Sequence, residues 1–158
     1  DMMKVGKAIR TSIPAVNALL MAKMSTAEAN GTDFYVEVKS DLKSLKVEPW
    51  ELCKVLSNLI DNGITALQEK QGERKMTLDI SEDRDFYFFS VSNNGPAIPE
   101  ERKEAIFRQG FTTKREEGHG MGLYIVSGIL KMNDGTIRVD SNEQETVFTV
   151  KFAKEVKG

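Results

Sequence analysis

The chain has 158 residues, 40% of them hydrophobic and 29% charged, which is typical of one globular domain with a core rather than of a disordered or fibrous protein. Its net charge of −2 and its pI of about 5.6 give no basic field that would favour nucleic acid as a partner. One cysteine and one histidine exclude an internal disulfide and an ordinary Cys/His metal cage. The sequence shows no apolar run near the ~20 residues of a membrane span and no secretory signal, so a cytoplasmic setting is expected.

The first predicted element is a helix. Apolar residues recur at helical spacing over Met2–Ala29, and Pro14 is expected to kink or interrupt this helix unless a first turn restarts there. Asn30-Gly31 is a signal for the end of a helix, and Phe34–Val38 alternates as a short strand. Because the sequence begins inside the predicted helix, we expect a fragment of a longer protein.

A second helix is predicted to open at Glu48-Pro49, with proline at the favoured first position, and to fade at Gln71-Gly72. Two strands are predicted next, Met76–Ser81 and Phe86–Ser92. A loop over Asn93–Pro99, a short helix over Glu100–Phe107 and a mobile loop over Arg108–Gly118 follow. The last predicted elements are a helix over Met121–Lys131 and a hairpin of Thr136–Asp140 with Thr146–Phe152. This order predicts an α+β fold, a two-layer α/β sandwich with helices on one face of a mixed, largely antiparallel sheet.

Two asparagines lie four residues apart on the second predicted helix. This spacing puts Asn58 and Asn62 on one face, one turn apart. Such amides are most often solvated or capping residues. An amide oxygen is also a suitable ligand for Mg²⁺, with phosphate oxygens of a nucleotide supplying further ligands.

A turn rich in structure-breaking residues follows the strand that ends near Ser92. Asn-Gly and Pro are the residues expected in a plain turn. Gly95 would also let the backbone pass close to a flat ligand, and Asn93 offers a donor and an acceptor to the edge of a base.

Three glycines, Gly118, Gly120 and Gly122, are spaced by two and lead into a helix. Backbone N–H groups in such a loop, together with a helix N-terminus, form a concavity for phosphate, although flexible loops have the same composition. Just before them, Phe107 could pin the loop to the body, and Lys114 could contact phosphate or simply lie at the surface.

In this order the four motifs resemble the N, G1, F and G2 boxes of the histidine kinase, gyrase and Hsp90 ATPase superfamily, over roughly Glu48–Phe152. Phe107 and Gly110–Lys114 are most similar to the citrate/fumarate-sensor branch of sensor histidine kinases. The segment Ile13–Lys23 is similar to the second helix of that branch's dimerisation domain. The resemblance therefore implies two parts, residues 1–31 from a truncated dimerisation domain and residues 32–158 as the ATP-binding catalytic domain.

The resemblance also implies roles for single residues. Asn62 would be the Mg²⁺ ligand, and Asn58 stands where hydrolysing relatives place the glutamate that activates water, which favours phosphoryl transfer over hydrolysis. Asn93 stands where the family has an aspartate that receives the adenine amino group. Lys114 would act with Asn58 in catalysis. The full implied ATP-binding set is Asn58, Asn62, Asn93, Gly95, Ala97, Ile98, Phe107, Thr113, Lys114, Gly118, His119, Gly120, Met121, Gly122 and Leu123.

Besides Asn93, three positions depart from the family pattern. Gly63 and Ala97 stand where alanine and glycine are usual, and Thr65 stands where many relatives carry a basic residue. The only histidine, His119, lies inside the glycine run and is a poor phosphoacceptor, so the acceptor is expected before Asp1.

The implied function is transfer of the γ-phosphoryl group of Mg-ATP to a histidine of the dimerisation domain. ATP or ADP, that domain and a response regulator are the expected partners, in a full-length homodimer anchored in the cell membrane. An anti-sigma-type serine kinase and an interaction module with a decayed nucleotide site remain as alternatives.

Overall fold

The computed structural model describes residues 2–3, 10–108 and 122–154. The predicted mobile loop therefore lies almost entirely outside the described residues, as do Thr113, Lys114, Gly118, His119, Gly120 and Met121.

The described strands form one six-stranded sheet in the order β1-β2-β3-β4-β6-β5. Neighbouring strands are antiparallel except for β2 and β3, which are parallel because a helical crossover connects them. The strands are β1 Met2–Met3, β2 Asp33–Val38, β3 Lys75–Glu82, β4 Phe86–Asn93, β5 Gly135–Ser141 and β6 Thr146–Ala153. The mixed, largely antiparallel sheet and the hairpin at its end confirm the predicted fold.

Three α-helices cover one face of the sheet: α1 Pro14–Ala29, α2 Pro49–Leu67 and α3 Gly122–Met132. The predicted short helix over Glu100–Phe107 is instead two 3₁₀ turns, Glu100–Arg102 and Ala105–Phe107. Segments this short commonly close i→i+3 hydrogen bonds, because they lack the length for an α-helix. No described helix is both long and apolar enough to cross a membrane.

The prediction of one helix over Met2–Ala29 was wrong at Met2–Met3, which is a strand, and over residues 10–13, which are not helical, while residues 4–9 lie outside the described residues. The helix begins at Pro14, because proline lacks the N–H for an interior bond and its ring clashes with the preceding turn. Two hydrogen bonds connect the residues before the helix to its first turn. The Thr11 N–H donates to Asn17 Oδ1 at 2.9 Å, and Asn17 Nδ2 donates to the Thr11 carbonyl at 3.0 Å. Met2–Met3 pairs with β2 as an edge strand.

One hydrophobic core lies between the helices and the sheet. Every second residue of β6 is buried, namely Thr146, Phe148, Val150 and Phe152. α2 buries the longest apolar face of any described helix, and α1 adds Val16, Leu20, Met24 and Ala27 to the same core. The assignment of residues 1–31 to a dimerisation domain stays a prediction, and one face of α1 in that segment packs into this core.

Arg74 joins the C-terminal ends of α1 and α2. Its guanidinium donates to the carbonyls of Asn30 at 3.0 Å, Gln68 at 2.6 Å and Lys70 at 3.2 Å. Asn30 and Gln68 are the residues that end the two helices. Carbonyls at helix C-termini lack intrahelical partners and carry partial negative charge, so a cation that donates to them stabilises both ends.

We expect Arg74→Met to lower the free energy of unfolding by about 1–3 kcal/mol, because charged donors to three carbonyls are lost. The matched control is Arg84→Met, whose side chain is 91% exposed and pairs with the adjacent Asp85, and which should change stability by less than about 0.5 kcal/mol. Urea unfolding followed by circular dichroism measures both. Equal small effects of the two substitutions would show that the guanidinium of Arg74 does not hold the helix ends.

Gly63 lets α2 lie close to β3. A Cβ at this position would stand 2.5 Å from Sδ of Met76, which is fully buried. Glycine costs about 1 kcal/mol of helix propensity relative to alanine. The size of Met76 therefore explains why a glycine occupies the middle of the helix.

Gly63→Ala is expected to destabilise the fold by about 1–3 kcal/mol, because the added methyl group overpacks the α2–β3 contact. Gly128→Ala is the matched control in α3, where a Cβ would meet nothing within 4 Å, and it should stabilise by about 0.5–1 kcal/mol. Thermal unfolding of the two variants measures both changes in stability. A stabilising effect of Gly63→Ala would rule out the steric role of Met76.

Candidate functional site

A cavity of about 730 Å³ lies between α2, the loop after β4 and the start of α3. Ile106 and Phe148 form part of its apolar wall. The lining also includes two acidic residues, Glu69 and Glu143, and two basic residues, Lys70 and Arg102. The lining residues are Asn62, Thr65, Ala66, Glu69, Lys70, Gln71, Asn94, Gly95, Pro96, Ala97, Ile98, Pro99, Arg102, Ile106, Leu123, Glu143 and Phe148. A concave, mostly apolar volume with few polar groups is the usual form of a small-molecule site.

A second recess of about 380 Å³ adjoins this cavity and shares Asn62, Thr65 and Leu123 with it. Its remaining lining is more polar and comes from the end of α1, from α2 and from the first residue of α3: Thr26, Asn30, Asn58, Asp61, Ile64, Gln68 and Gly122. Because Asn62 borders both volumes, a ligand with an apolar part and a polar tail can extend from one to the other past this residue.

The two asparagines of α2 lie on one face of the helix, as the sequence predicts, and both are partly exposed. Asn58 Nδ2 donates to the Lys54 carbonyl at 2.8 Å, which fixes its amide. Its Oδ1 is turned toward α3 and lies 3.0 Å from where a Cβ on Gly122 would stand. The amide oxygen therefore faces the N-terminus of α3, where helix N–H groups carry partial positive charge.

The recess is tied to the rest of the molecule by an ion pair between α1 and α2. Lys23 Nζ lies 2.7 Å from Asp61 Oδ1, one residue before Asn62, and the Lys23 side chain is mostly buried. This contact holds the end of α1 beside the recess.

The loop after β4 is held at both ends. Asn93 is 4% exposed, and its Oδ1 accepts the buried Gly95 N–H at 2.9 Å. A Cβ on Gly95 would stand 2.9 Å from that oxygen and 3.2 Å from the Ala66 carbonyl, so only glycine fits here without displacement. Ile98 N–H donates to Ser141 Oγ at 2.8 Å, which fastens the loop to the β5–β6 hairpin.

The structure brings together most of the described residues that the sequence singled out. Asn62, Gly95, Ala97, Ile98 and Leu123 line the large cavity, and Asn58 and Gly122 line the recess. Asn93 and Phe107 are not among the lining residues of either volume. The Phe107 ring packs edge-on against the cavity residue Phe148, with centroids 6.3 Å apart.

Several cavity residues were not predicted. Ala66 and Glu69 follow Asn62 by four and seven residues, so helical spacing alone would have found them. Glu143 and Phe148 come from the distant hairpin, and no local pattern in the sequence marks them.

The donor set is compatible with a nucleotide and a hard cation. Within the described ranges, no cluster of three or more His, Cys, Asp or Glu side chains could hold a metal by itself. The amide oxygens of Asn58 and Asn62, which line the recess, are ligands that suit Mg²⁺ when phosphate oxygens complete its coordination.

Comparison with known proteins agrees with this geometry. The sequence profile of the family described as histidine kinase-, DNA gyrase B- and HSP90-like ATPase matches residues 48–156. A probable C4-dicarboxylate sensor kinase of Halalkalibacterium halodurans is 32% identical over 141 residues, which cover 87% of this chain and 26% of that protein. The chain thus spans about a quarter of the length of this curated relative.

Solved structures show the same fold. The nucleotide-free catalytic domain of the histidine kinase ThkA has a TM-score of 0.76 and 30% identity, and the alignment covers 89% of this chain and 92% of that one. ThkA in complex with the response regulator protein TrrA matches with a TM-score of 0.70 and 25% identity, over 98% of this chain and 42% of that one. On its sequence, its sheet order and its cavity, the chain belongs to the family of histidine kinase-, DNA gyrase B- and HSP90-like ATPases.

Proposed function

We propose that this chain is the catalytic domain of a sensor histidine kinase, which binds Mg-ATP and donates its γ-phosphoryl group to a histidine of the same kinase's dimerisation domain. The observation that carries the proposal is the pair of adjoining volumes that meet at Asn62. The larger, apolar volume suits a purine and its ribose, and the polar recess suits the phosphates.

Asn62 is the residue we assign to the metal. Its side chain lies where the base cavity and the recess meet, so an amide oxygen there can hold Mg²⁺ beside the phosphates. The bound ion would neutralise charge on the phosphate oxygens. Asn58 orients its oxygen toward the start of α3, and as an amide it cannot serve as a general base at neutral pH. This chemistry favours transfer to a protein side chain over hydrolysis.

The remaining assignments rest on the motif pattern. Lys114 as a catalytic phosphate contact, and Thr113, Gly118, His119, Gly120 and Met121 as nucleotide-binding residues, lie outside the described residues. Gly122 opens α3 next to Asn58, so the N–H groups of this helix start would face the recess. Positioning and electrostatics, rather than covalent catalysis, would then drive the transfer.

The relatives support the proposed partners. The curated relative is named a sensor kinase, and the ThkA structure contains a response regulator. We propose a response regulator as the final phosphate acceptor here also, and a homodimeric full-length kinase anchored in the cell membrane. The single histidine of the chain, His119, is not the proposed acceptor.

Asn62→Ala is expected to weaken Mg-ADP binding at least about tenfold, because the only proposed protein ligand to the metal is lost. Isothermal titration of the 158-residue chain with Mg-ADP measures the change, and Ser57→Ala on the same helix is the control that should bind normally. Binding that is unaffected by Asn62→Ala would contradict the metal assignment. No binding of ADP or ATP to the unsubstituted chain would instead favour an interaction module with a decayed site.

We expect the full-length protein, incubated with Mg-ATP labelled at the γ-phosphate, to acquire phosphate that is lost in acid and retained in alkali. This stability is typical of phosphohistidine, whereas a phosphoserine product survives acid. Acid-stable label would point to the anti-sigma-type serine kinase, which shares the nucleotide site but not the acceptor.

A further inference from the structure

One carboxylate lies at the polar recess. Among the described residues that line the recess, Asp61 is the only one with an ionisable side chain. It follows Asn58 by three residues and directly precedes Asn62 on α2, so its side chain lies next to that of Asn58 on the helix surface. The Asp61 side chain is 53% exposed. A group that approaches the recess from solvent therefore reaches this carboxylate.

Lys23 holds the carboxylate from the neighbouring helix. Its Nζ lies 2.7 Å from Asp61 Oδ1, and its side chain is only 18% exposed, so the lysine itself has little freedom to move. Within the described part of the chain, no other group donates a hydrogen bond to Asp61. One carboxylate oxygen is thus occupied and the second is available to a further donor. The charge of Lys23 also offsets part of the repulsion between this carboxylate and phosphates in the recess.

Transfer of a phosphoryl group to a histidine creates a use for such a carboxylate. The neutral imidazole has a lone pair on one ring nitrogen and a proton on the other. The lone pair forms the bond to the γ-phosphorus, while the bond from this phosphorus to the bridging oxygen breaks and its electron pair leaves with ADP. The other nitrogen keeps its proton, so the ring becomes positively charged until that proton passes to water. A carboxylate that accepts this N–H selects the reactive tautomer and stabilises the charge without taking the proton.

We infer that Asp61 is a further catalytic residue of the transfer, whose second carboxylate oxygen accepts the hydrogen bond from the N–H of the incoming imidazole. Lys23 is the positioning residue that holds this carboxylate. The amide of Asn58 cannot take a role that needs negative charge, and Asp61 supplies the only carboxylate in the described lining of the recess. The inference rests on the proposed function, because it needs phosphates in the recess and a histidine as acceptor.

The test compares Asp61→Asn with the unsubstituted protein in two measurements. The first is the initial rate at which the full-length protein acquires acid-labile phosphate at saturating Mg-ATP, and we expect it to fall at least about a hundredfold. The second is isothermal titration of the 158-residue chain with Mg-ADP. The dissociation constant should stay the same or decrease by less than about threefold, because a negative charge beside the phosphates is removed. A merely structural role would weaken binding and transfer together.

The matched control is Asp79→Asn. Asp79 also pairs with a lysine, since its Oδ2 lies 3.1 Å from Lys39 Nζ, and its side chain is 30% exposed on the face of β3 opposite to the core. Removing the charge of this exposed pair should change the transfer rate and the Mg-ADP affinity by less than about twofold. Circular dichroism reports whether each variant is folded.

The role of Lys23 is tested by a double-mutant cycle. Lys23→Met should lower the transfer rate by about tenfold in the unsubstituted protein, because the carboxylate is no longer oriented, and by less than about twofold in Asp61→Asn. An equal effect in the two backgrounds would show that Lys23 does not act through Asp61.

Asp61→Glu keeps the charge that faces Lys23, and it therefore protects the test against a loss of folding in Asp61→Asn. It moves the carboxylate by about one methylene group, and the rate should fall by about tenfold.

Two results would overturn the inference and leave the proposed function intact. One is an unchanged transfer rate in folded Asp61→Asn or Asp61→Glu. The other is an equal loss of rate and of Mg-ADP affinity in Asp61→Asn, which would assign the carboxylate to nucleotide binding. If the unsubstituted chain does not bind Mg-ADP, the proposed function itself is rejected, and this inference with it.

Discussion

The burial of one face of α2 against the sheet positions every other part of the candidate site. Leu52, Val55, Leu56, Leu59 and Ile60 are fully buried, and each such side chain contributes about 1.5–3 kcal/mol relative to exposure. Burial of this stripe fixes the rotation of the helix about its axis. Asn58 and Asn62 then lie at the edge of the buried face, one turn apart and beside the recess, without any contact of their own being needed to hold the helix there.

The floor of the larger cavity depends on close backbone approach between α2 and the end of β4. Gly63 leaves room for Met76, and Gly95 leaves room for the Ala66 carbonyl and for the Asn93 oxygen. A side chain at Gly95 would press on the Asn93 oxygen and on the Ala66 carbonyl, whereas a side chain at Gly63 would press on Met76. The shape of this part of the cavity and the packing of α2 are therefore coupled through the same few atoms.

The opposite end of the cavity is held by polar contacts. Arg74 joins the carbonyl ends of α1 and α2, next to the cavity residues Lys70 and Gln71. Lys23 pairs with Asp61 near the recess. These contacts connect α1 to the walls of both volumes, so a displacement of α1 would also displace the walls of the recess that Asn62 borders.

Sequence periodicity was sufficient for the strands β2 to β6, for α2 and α3 and for the α+β class, because each element has one buried face whose spacing reports its type. The Asn58–Asn62 pair was equally predictable, since four-residue spacing on a helix is a local property. The sequence predicted that Pro14 would kink or interrupt the helix unless a first turn restarts there, and a helix does begin at Pro14. Apolar spacing continues before Pro14 without a break, and the steric effect of the proline and the Thr11–Asn17 hydrogen bonds explain why the described residues 10–13 are not helical.

The tertiary structure determined which residues from distant parts of the chain reach the cavity, and no local sequence pattern marks them. Glu143 and Phe148 reach the cavity from a hairpin about fifty residues away from the loop they face, because β4 pairs with β6. Ser141 holds the Ile98 N–H for the same reason. The sequence by itself determined that an asparagine ends β4, with a donor and an acceptor to offer. Only the fold decided how the oxygen is used, because it placed the buried Gly95 N–H against it.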